Sequence, residues 1–223
     1  MKPKLLIFDV NETLLDLQPL RKNINKLLDS TNAFEDWFSK LIQFTMVETL
    51  TGSYSDFGDI GVATLKMTAE KHSKFISEEK ITSTLKVIKE LKPHPEVKSI
   101  LEKLKSEGFQ LVALTNGGLE TLKQQMKFSG LEPMFDALYS VEMVKKFKPH
   151  PDTYQFVLAQ EQTEAKSAML IAAHAWDIAG AQNTSLQTAF ISRPGKFIYP
   201  KAERPDLVCQ DFEELYQKII RLN

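Results

Sequence analysis

Short apolar runs recur along this chain. Each is closed by a polar cluster, and most are followed by a helical pattern. This alternation constrains the fold more than any other feature. The first run, Leu5-Leu6-Ile7-Phe8, stops at Asp9. The second, Leu111-Val112-Ala113-Leu114, stops at Thr115-Asn116-Gly117-Gly118. Ala137-Leu138-Tyr139-Ser140 reads as a short strand, with Lys148-Pro149-His150-Pro151 a turn beyond it. Ala168–Ala172 runs into His174-Ala175-Trp176-Asp177, Thr188–Ile191 follows, and Leu207-Val208 reads as an edge strand. Runs without polar alternation suit strands buried on both faces. Strands alternating with helices imply an α/β fold, a doubly wound parallel sheet.

Between the first two runs the texture differs. From about residue 16 to 92 helical periodicity dominates and no strand-like run occurs. Trp37, Leu41, Phe44 and Thr45 share one helical face, and Gly52, Gly58 and Gly61 break the stretch. We read it as helices inserted outside the sheet. Val97, Ile100, Leu101 and Leu104 then mark an amphipathic helix stopped at Gly108. A second helix runs to Ser129, with Gly130 as its stop, and Asp211–Arg221 is a closing helix.

In doubly wound sheets ligands sit outside the carboxyl ends of the strands. Asp9, Thr115-Asn116, Lys148 and His174 to Asp177 are therefore expected to converge on one crevice. Singly, each has an ordinary role: Asp9 and Asp177 as caps, Lys148 as a solvated loop lysine, His174 as a core histidine. Their joint placement favours chemistry, with Asp9 as a carboxylate nucleophile. The remaining composition excludes other classes. Lys+Arg 28 against Asp+Glu 29 gives a net charge of −1, without the basic footprint of a nucleic-acid binder. No apolar run approaches the roughly 20 residues of a membrane span. The four apolar residues before Asp9 are too few for a signal-peptide core. With Cys209 the one cysteine, no internal disulfide forms, and a reducing, cytoplasmic setting is expected.

Phe8-Asp9-Val10-Asn11-Glu12-Thr13-Leu14 resembles the first motif of the haloacid dehalogenase superfamily. Thr115-Asn116-Gly117 resembles its second motif, Lys148-Pro149 its third and Asp177 its fourth. The resemblance implies a Rossmann-like core of residues 1–15 and 93–223 with a helical cap of residues 16–92. Phosphatases of this superfamily carry a second Asp two residues after the nucleophile. Here that position is Asn11, a neutral amide that is neither acid nor base at neutral pH. The type II L-2-haloacid dehalogenases carry no Asp there, because a departing halide needs no proton. Tyr154, six residues after Lys148, and Ala175-Trp176-Asp177 also resemble that subfamily. There are two departures from its pattern. Phe38 stands where well-known members have an arginine that helps receive the halide. His174 stands where many have Asn, as in a branch that includes defluorinating members.

What the resemblance implies is a reaction in two steps. Asp9 displaces halide from C2 of an (S)-2-haloacid with inversion, leaving an aspartyl ester. Water then attacks the ester's carboxylate carbon and releases an (R)-2-hydroxy acid. The water is activated by His174, oriented by Asp177, or by Asp177 itself. Lys148 offsets the crowding of carboxylates, which costs about 4 kcal/mol per pair at 4 Å and an effective dielectric near 20. Asn11, Thr13, Phe38, Ile42, Phe57, Thr115, Asn116, Tyr154 and Trp176 are expected to form the substrate site, with Asn116 facing the halide. No cofactor is required. Two further readings stay open. One is a magnesium-dependent phosphatase, or another phosphoryl-group hydrolase, on the same fold. The other is a non-catalytic small-molecule binding protein, which Phe38 keeps in play. The expected partners are a small 2-halo carboxylic acid and water, with neither nucleic acid nor membrane. Relatives of this kind are often dimers, and the apolar-rich cap offers a surface for a homodimer.

Overall fold

The computed structural model describes residues 2–222. Its centre is a six-stranded sheet. The strands are β1 (Leu5–Phe8), β2 (Gln110–Thr115), β3 (Ala137–Ser140), β4 (Ala168–Ala172), β5 (Gln187–Ile191) and β6 (Leu207–Cys209). Their order is β3-β2-β1-β4-β5-β6, and every pairing is parallel. β1 and β4 are buried at every position, which is why they read as unbroken apolar runs. From β1 the chain steps outward to β2 and β3, then returns past β1 to β4. The strand order therefore reverses between β1 and β4, where such sheets open a crevice at their carboxyl ends.

Four helices come between β1 and the next core helix: α1 (Gln18–Leu28), α2 (Ala33–Thr51), α3 (Phe57–Lys71) and α4 (Glu78–Leu85). They pack on one another, α1 on α2 and α4, and α3 on α2 and α4. The chain leaves and re-enters the sheet region at one place. The Asp16 amide donates to the Lys92 carbonyl at 2.9 Å, the His94 amide donates to the Leu14 carbonyl at 2.9 Å, and Leu15 bridges Pro93. Gly52 ends α2 with φ +76°, as a left-handed helix stop should. Gly58 and Gly61, expected to break the stretch, instead lie within α3. The Asp56 side chain accepts the Gly58 amide at 2.7 Å and starts the helix just before them. The glycine cost, about 1 kcal/mol each, is offset by burial of Ile60 and Leu65 further along α3.

The remaining helices are α5 (Val97–Ser106), α6 (Leu119–Ser129), α7 (Pro151–Gln160), α8 (Ala175–Gln182) and α9 (Phe212–Ile219). α5 packs with α9, and α7 with α8. Among the described residues no helix is long and apolar enough to cross a membrane.

Candidate active site

β1 ends in a tight turn. The amides of Leu14 and Leu15 both donate to the Val10 carbonyl, at 2.9 and 3.1 Å, and Glu12 adopts φ +64°. This turn returns Thr13 to Asp9. The Thr13 hydroxyl donates to Asp9 Oδ2 at 2.7 Å and accepts the Ala173 amide at 2.9 Å, lacing the β1 turn to the end of β4.

Lys148 reaches the same point from the turn before α7, with its side chain fully buried. Its ammonium donates to Asp9 Oδ1 at 2.9 Å, Asp177 Oδ2 at 2.6 Å and the Leu114 carbonyl at 3.1 Å. All three of its protons have acceptors. Burial alone would neutralise this lysine, but the charges of Asp177 and Asp9 outweigh it and raise its pKa. Burial also opposes ionisation of Asp9. There Lys148 and the hydrogen bond from His174 win, holding the carboxyl well below the usual carboxylate range. Asp177 responds oppositely: burial, with the charge of Asp9 added, raises it despite Lys148. The Tyr154 hydroxyl donates to Asp177 Oδ1 at 2.6 Å.

His174 occupies the position before α8. Its Nδ1 lies 3.1 Å from Asp9 Oδ2, and its Nε2 2.9 Å from Glu12 Oε2. Burial opposes the imidazolium, but two flanking carboxylates stabilise it, and its pKa is raised. The expectation that Asp177 orients His174 is corrected here. Asp177 is committed to Lys148 and Tyr154, and Glu12 holds the imidazole. The imidazole is sandwiched between Phe38 and Trp176, with ring centroids 5.8 and 5.1 Å away and interplanar angles of 27° and 22°.

The other expected site residues divide by what they touch. Asn116 Oδ1 accepts the Lys148 amide at 2.9 Å, which turns its Nδ2 the other way. That buried Nδ2 has no protein partner. Thr115 Oγ1 accepts the Gly117 amide at 3.1 Å and so shapes the β2 turn. Tyr154 is buried with its hydroxyl on Asp177, a support behind the cluster rather than a wall in front of it. Asn11 Oδ1 accepts from Gln125 Nε2 at 2.9 Å. Asn11 and Phe57 line an apolar cavity of about 280 Å³ with Trp37, Leu41 and Gly117, beside the Asp9 cluster rather than around it. Ile42, half-buried on α2, is not among that cavity's lining residues; Leu41 is.

Sequence reasoning missed three residues here. Glu12 closes the His174 contact, and its carboxylate takes Lys196 Nζ at 2.5 Å and lies 3.8 Å from Arg21 Nη2. Arg193 donates to the Thr13 carbonyl at 3.0 Å and pins the β1 turn. Arg193 stands two residues past β5, so extending the strand-end rule by one strand would have found it. Lys196 lies in the irregular stretch beyond, where nothing in the sequence marks it. Its ammonium sits 5.3 Å from the centroid of the Phe38 ring.

Comparison with known proteins completes the picture. The family model for haloacid dehalogenase-like hydrolases matches residues 6–191. (S)-2-haloacid dehalogenase 4A of Burkholderia cepacia is 28% identical over 191 residues, 85% of this chain and 83% of its own. (S)-2-haloacid dehalogenase 2 of Pseudomonas sp. (strain CBS-3) is 24% identical over 212 residues, 94% of this chain and 93% of its own. The structure of L-2-haloacid dehalogenase from Xanthobacter autotrophicus with chloropropionic acid covalently bound superposes with a TM-score of 0.92 at 21% identity, covering 99% of this chain and 100% of that one. That likeness shows that the two share a fold.

Proposed function

The chain belongs to the haloacid dehalogenase-like hydrolase family, and from that premise we propose that it hydrolyses short (S)-2-haloacids to (R)-2-hydroxy acids through an ester on Asp9. The observation that carries this reading is an ionised Asp9 paired with an amide at position 11. Asp9 is buried, its charge is held by Lys148, and Asn11 is spent on Gln125. Such a pair can displace a leaving group at carbon, and position 11 holds no acid to protonate an oxygen leaving group. Halide needs none.

In this reading Asp9 is the nucleophile and Lys148 balances charge. Asn116 Nδ2, fixed by its partner oxygen and otherwise unpaired, donates to the departing halide. The start of α8 and the amides of the β1 turn receive the substrate carboxylate. Phe38 supplies no charge, so the halide path relies on Asn116 and apolar contact with the ring. Residues 1–15 and 93–223 act as the core, and residues 16–92 as a cap that carries Phe38 over the site.

The proposed reaction draws on no metal. The two carboxylates that magnesium would need, Asp9 and Asp177, are both engaged by the Lys148 ammonium, at 2.9 and 2.6 Å, which makes the cluster a poor fit to the ion. Among the described residues no group of three or more His, Cys, Asp or Glu is disposed to hold an ion.

The test is a single turnover of (S)-2-chloropropionate in ¹⁸O-water with enzyme in excess. The product hydroxyl is expected to be unlabelled, since it derives from Asp9, and one ¹⁸O should appear on the Asp9 peptide. Asp9→Asn should release no halide. Label in the first product hydroxyl would mean that water attacks C2 directly, which removes Asp9 from the role.

A further inference from the structure

The apolar cavity beside the Asp9 cluster has no task in the two-step reaction. Both parts of the molecule build it: Trp37 and Leu41 from α2, Leu85 from α4, and Asn11, Gly117 and Gln125 from the core. We propose that this cavity is the subsite for the C2 substituent of the substrate, and that it selects 2-halopropionates bearing an aryl ring on C3. The inference rests on the reading above, because it takes C2 to be the atom that Asp9 attacks.

Position is the first support. β1 lies between β2 and β4, so Asp9 has two flanks. On the β4 flank the start of α8 receives the substrate carboxylate, and Phe38, His174 and Trp176 are stacked. On the β2 flank the cavity is lined by close chain neighbours of the site: Gly117 directly follows Asn116, and Asn11 stands two residues past Asp9. Attack by Asp9 sends the halide off opposite the incoming oxygen. The carboxylate, the hydrogen and the remaining substituent of C2 therefore spread sideways around the line of attack. A bulky substituent has room on the β2 flank.

The walls keep that room open. Gly61 lies inside α3, where a glycine is disfavoured, and it lines the cavity. A Cβ there would stand 3.8 Å from Leu85 Cδ1 and 3.8 Å from Trp37 Cζ2, both ordinary contacts. Close packing therefore does not require this glycine, and what it leaves is space. The floor is fixed, because Gln125 Nε2 donates to Asn11 Oδ1 and to the Ile88 carbonyl, both at 2.9 Å. Size and polarity name the occupant. The cavity holds about 280 Å³, whereas an apolar cavity of about 150 Å³ is enough to bind benzene. Its charged lining residues, Asp56, Asp59, Lys86 and Lys89, are all exposed, while Leu20, Trp37 and Leu41 are buried. The charge stays at the mouth and the interior suits an apolar group. A ring fills such a space with fewer torsions to fix than an alkyl chain of equal size, and Trp37 and Phe57 offer it aromatic contact.

The experiment compares halide release from (S)-2-bromo-3-phenylpropionate and (S)-2-bromopropionate in the full chain. The wild-type kcat/KM is expected to be about 10-fold higher for the phenyl acid, a fraction of what full burial of a ring provides. Gly61→Leu narrows the cavity and should lower the ratio of the two values about 10-fold, with Gly61→Ala between. Each ratio is taken within one preparation, so a loss of folded enzyme cancels. A wild-type ratio of one or less, or a ratio unmoved in Gly61→Leu, would overturn the assignment. A second measurement needs no turnover. Benzyl alcohol, which has neither halogen nor carboxylate, is titrated into the ¹⁵N-labelled protein. The cross-peak of the Trp37 indole N–H, which donates to the Gly61 carbonyl at 2.9 Å, should shift in the wild type and stay in place in Gly61→Leu. No shift in the wild type would also overturn the assignment. If the wild-type enzyme releases halide from no 2-haloacid, the proposed function falls, and the benzyl alcohol titration still judges the cavity by itself.

Discussion

His174 combines burial with two carboxylate partners, so its protonation is linked to folding. Its pKa in the folded protein lies above the 6.5 of an unpaired histidine. The stabilisation from its charge is therefore complete below that value and is lost as pH rises through the folded pKa. Asp9 behaves in the opposite sense: its depressed pKa stabilises the fold above the unfolded carboxylate value, and that contribution fades only in acid. Urea denaturation from pH 5.5 to about 9 should show wild-type stability falling relative to His174→Gln, which cannot titrate there. Parallel profiles would mean that folding leaves the pKa of His174 where it is in the unfolded chain. At this scale the convergence of Asp9, Lys148, His174 and Asp177 was legible from one rule, that residues just past parallel strands face each other. The partner of His174 was not. Glu12 reads as one more charged turn residue until the backbone enters the left-handed region and swings its carboxylate under the imidazole.

Between elements, α8 lies against the turn carrying Lys148 at Gly180. A Cβ on Gly180 would stand 2.5 Å from Pro149 Cβ, 2.6 Å from the Tyr154 hydroxyl and 2.8 Å from the Pro149 carbonyl oxygen. The glycine is what lets Tyr154 reach Asp177. Gly180→Ala should cost about 1–3 kcal/mol in urea unfolding, as overpacking does, and lower turnover by displacing Tyr154. A change of only a few tenths of a kcal/mol with full activity would show that α8 can slide without disturbing Asp177. The core elements were nearly all legible. β1, β3 and β4 fall where their apolar runs lie, and α6 stops at Gly130 as expected. The inserted helices were harder to delimit, because a side-chain cap at Asp56 outweighs the turn preference of Gly58 and Gly61. That balance depends on which groups meet in space, and residue type alone does not fix it.

For the molecule as a whole, the sheet supplies the charged cluster and the inserted helices supply its cover. Phe38, on α2, lies against His174 at the carboxyl end of β4, while the insertion is anchored where Asp16 meets Lys92 and Leu15 meets Pro93. In the proposed reaction the substrate passes between these parts. Hydrogen exchange of Asp9→Asn with and without (S)-2-chloropropionate should show slower exchange in α2 around Phe38, with α9 unchanged. Equal exchange in α2 would mean that the helix takes no part in binding. The alternation of strands and helices made this architecture readable in advance, but Lys196 is brought to the β1 turn by the irregular stretch beyond β5. Such long-range closure leaves no local mark.

The stacked rings have an optical consequence. Of the two tryptophans, Trp37 is tied by its indole N–H to the Gly61 carbonyl at 2.9 Å, whereas Trp176 lies face to face with His174. An imidazolium draws electron density from an excited indole far more effectively than a neutral imidazole does. Emission from Trp176 should therefore be quenched while His174 is charged and should brighten as the imidazole loses its proton, so that a pH titration of tryptophan fluorescence reads His174 without an added label.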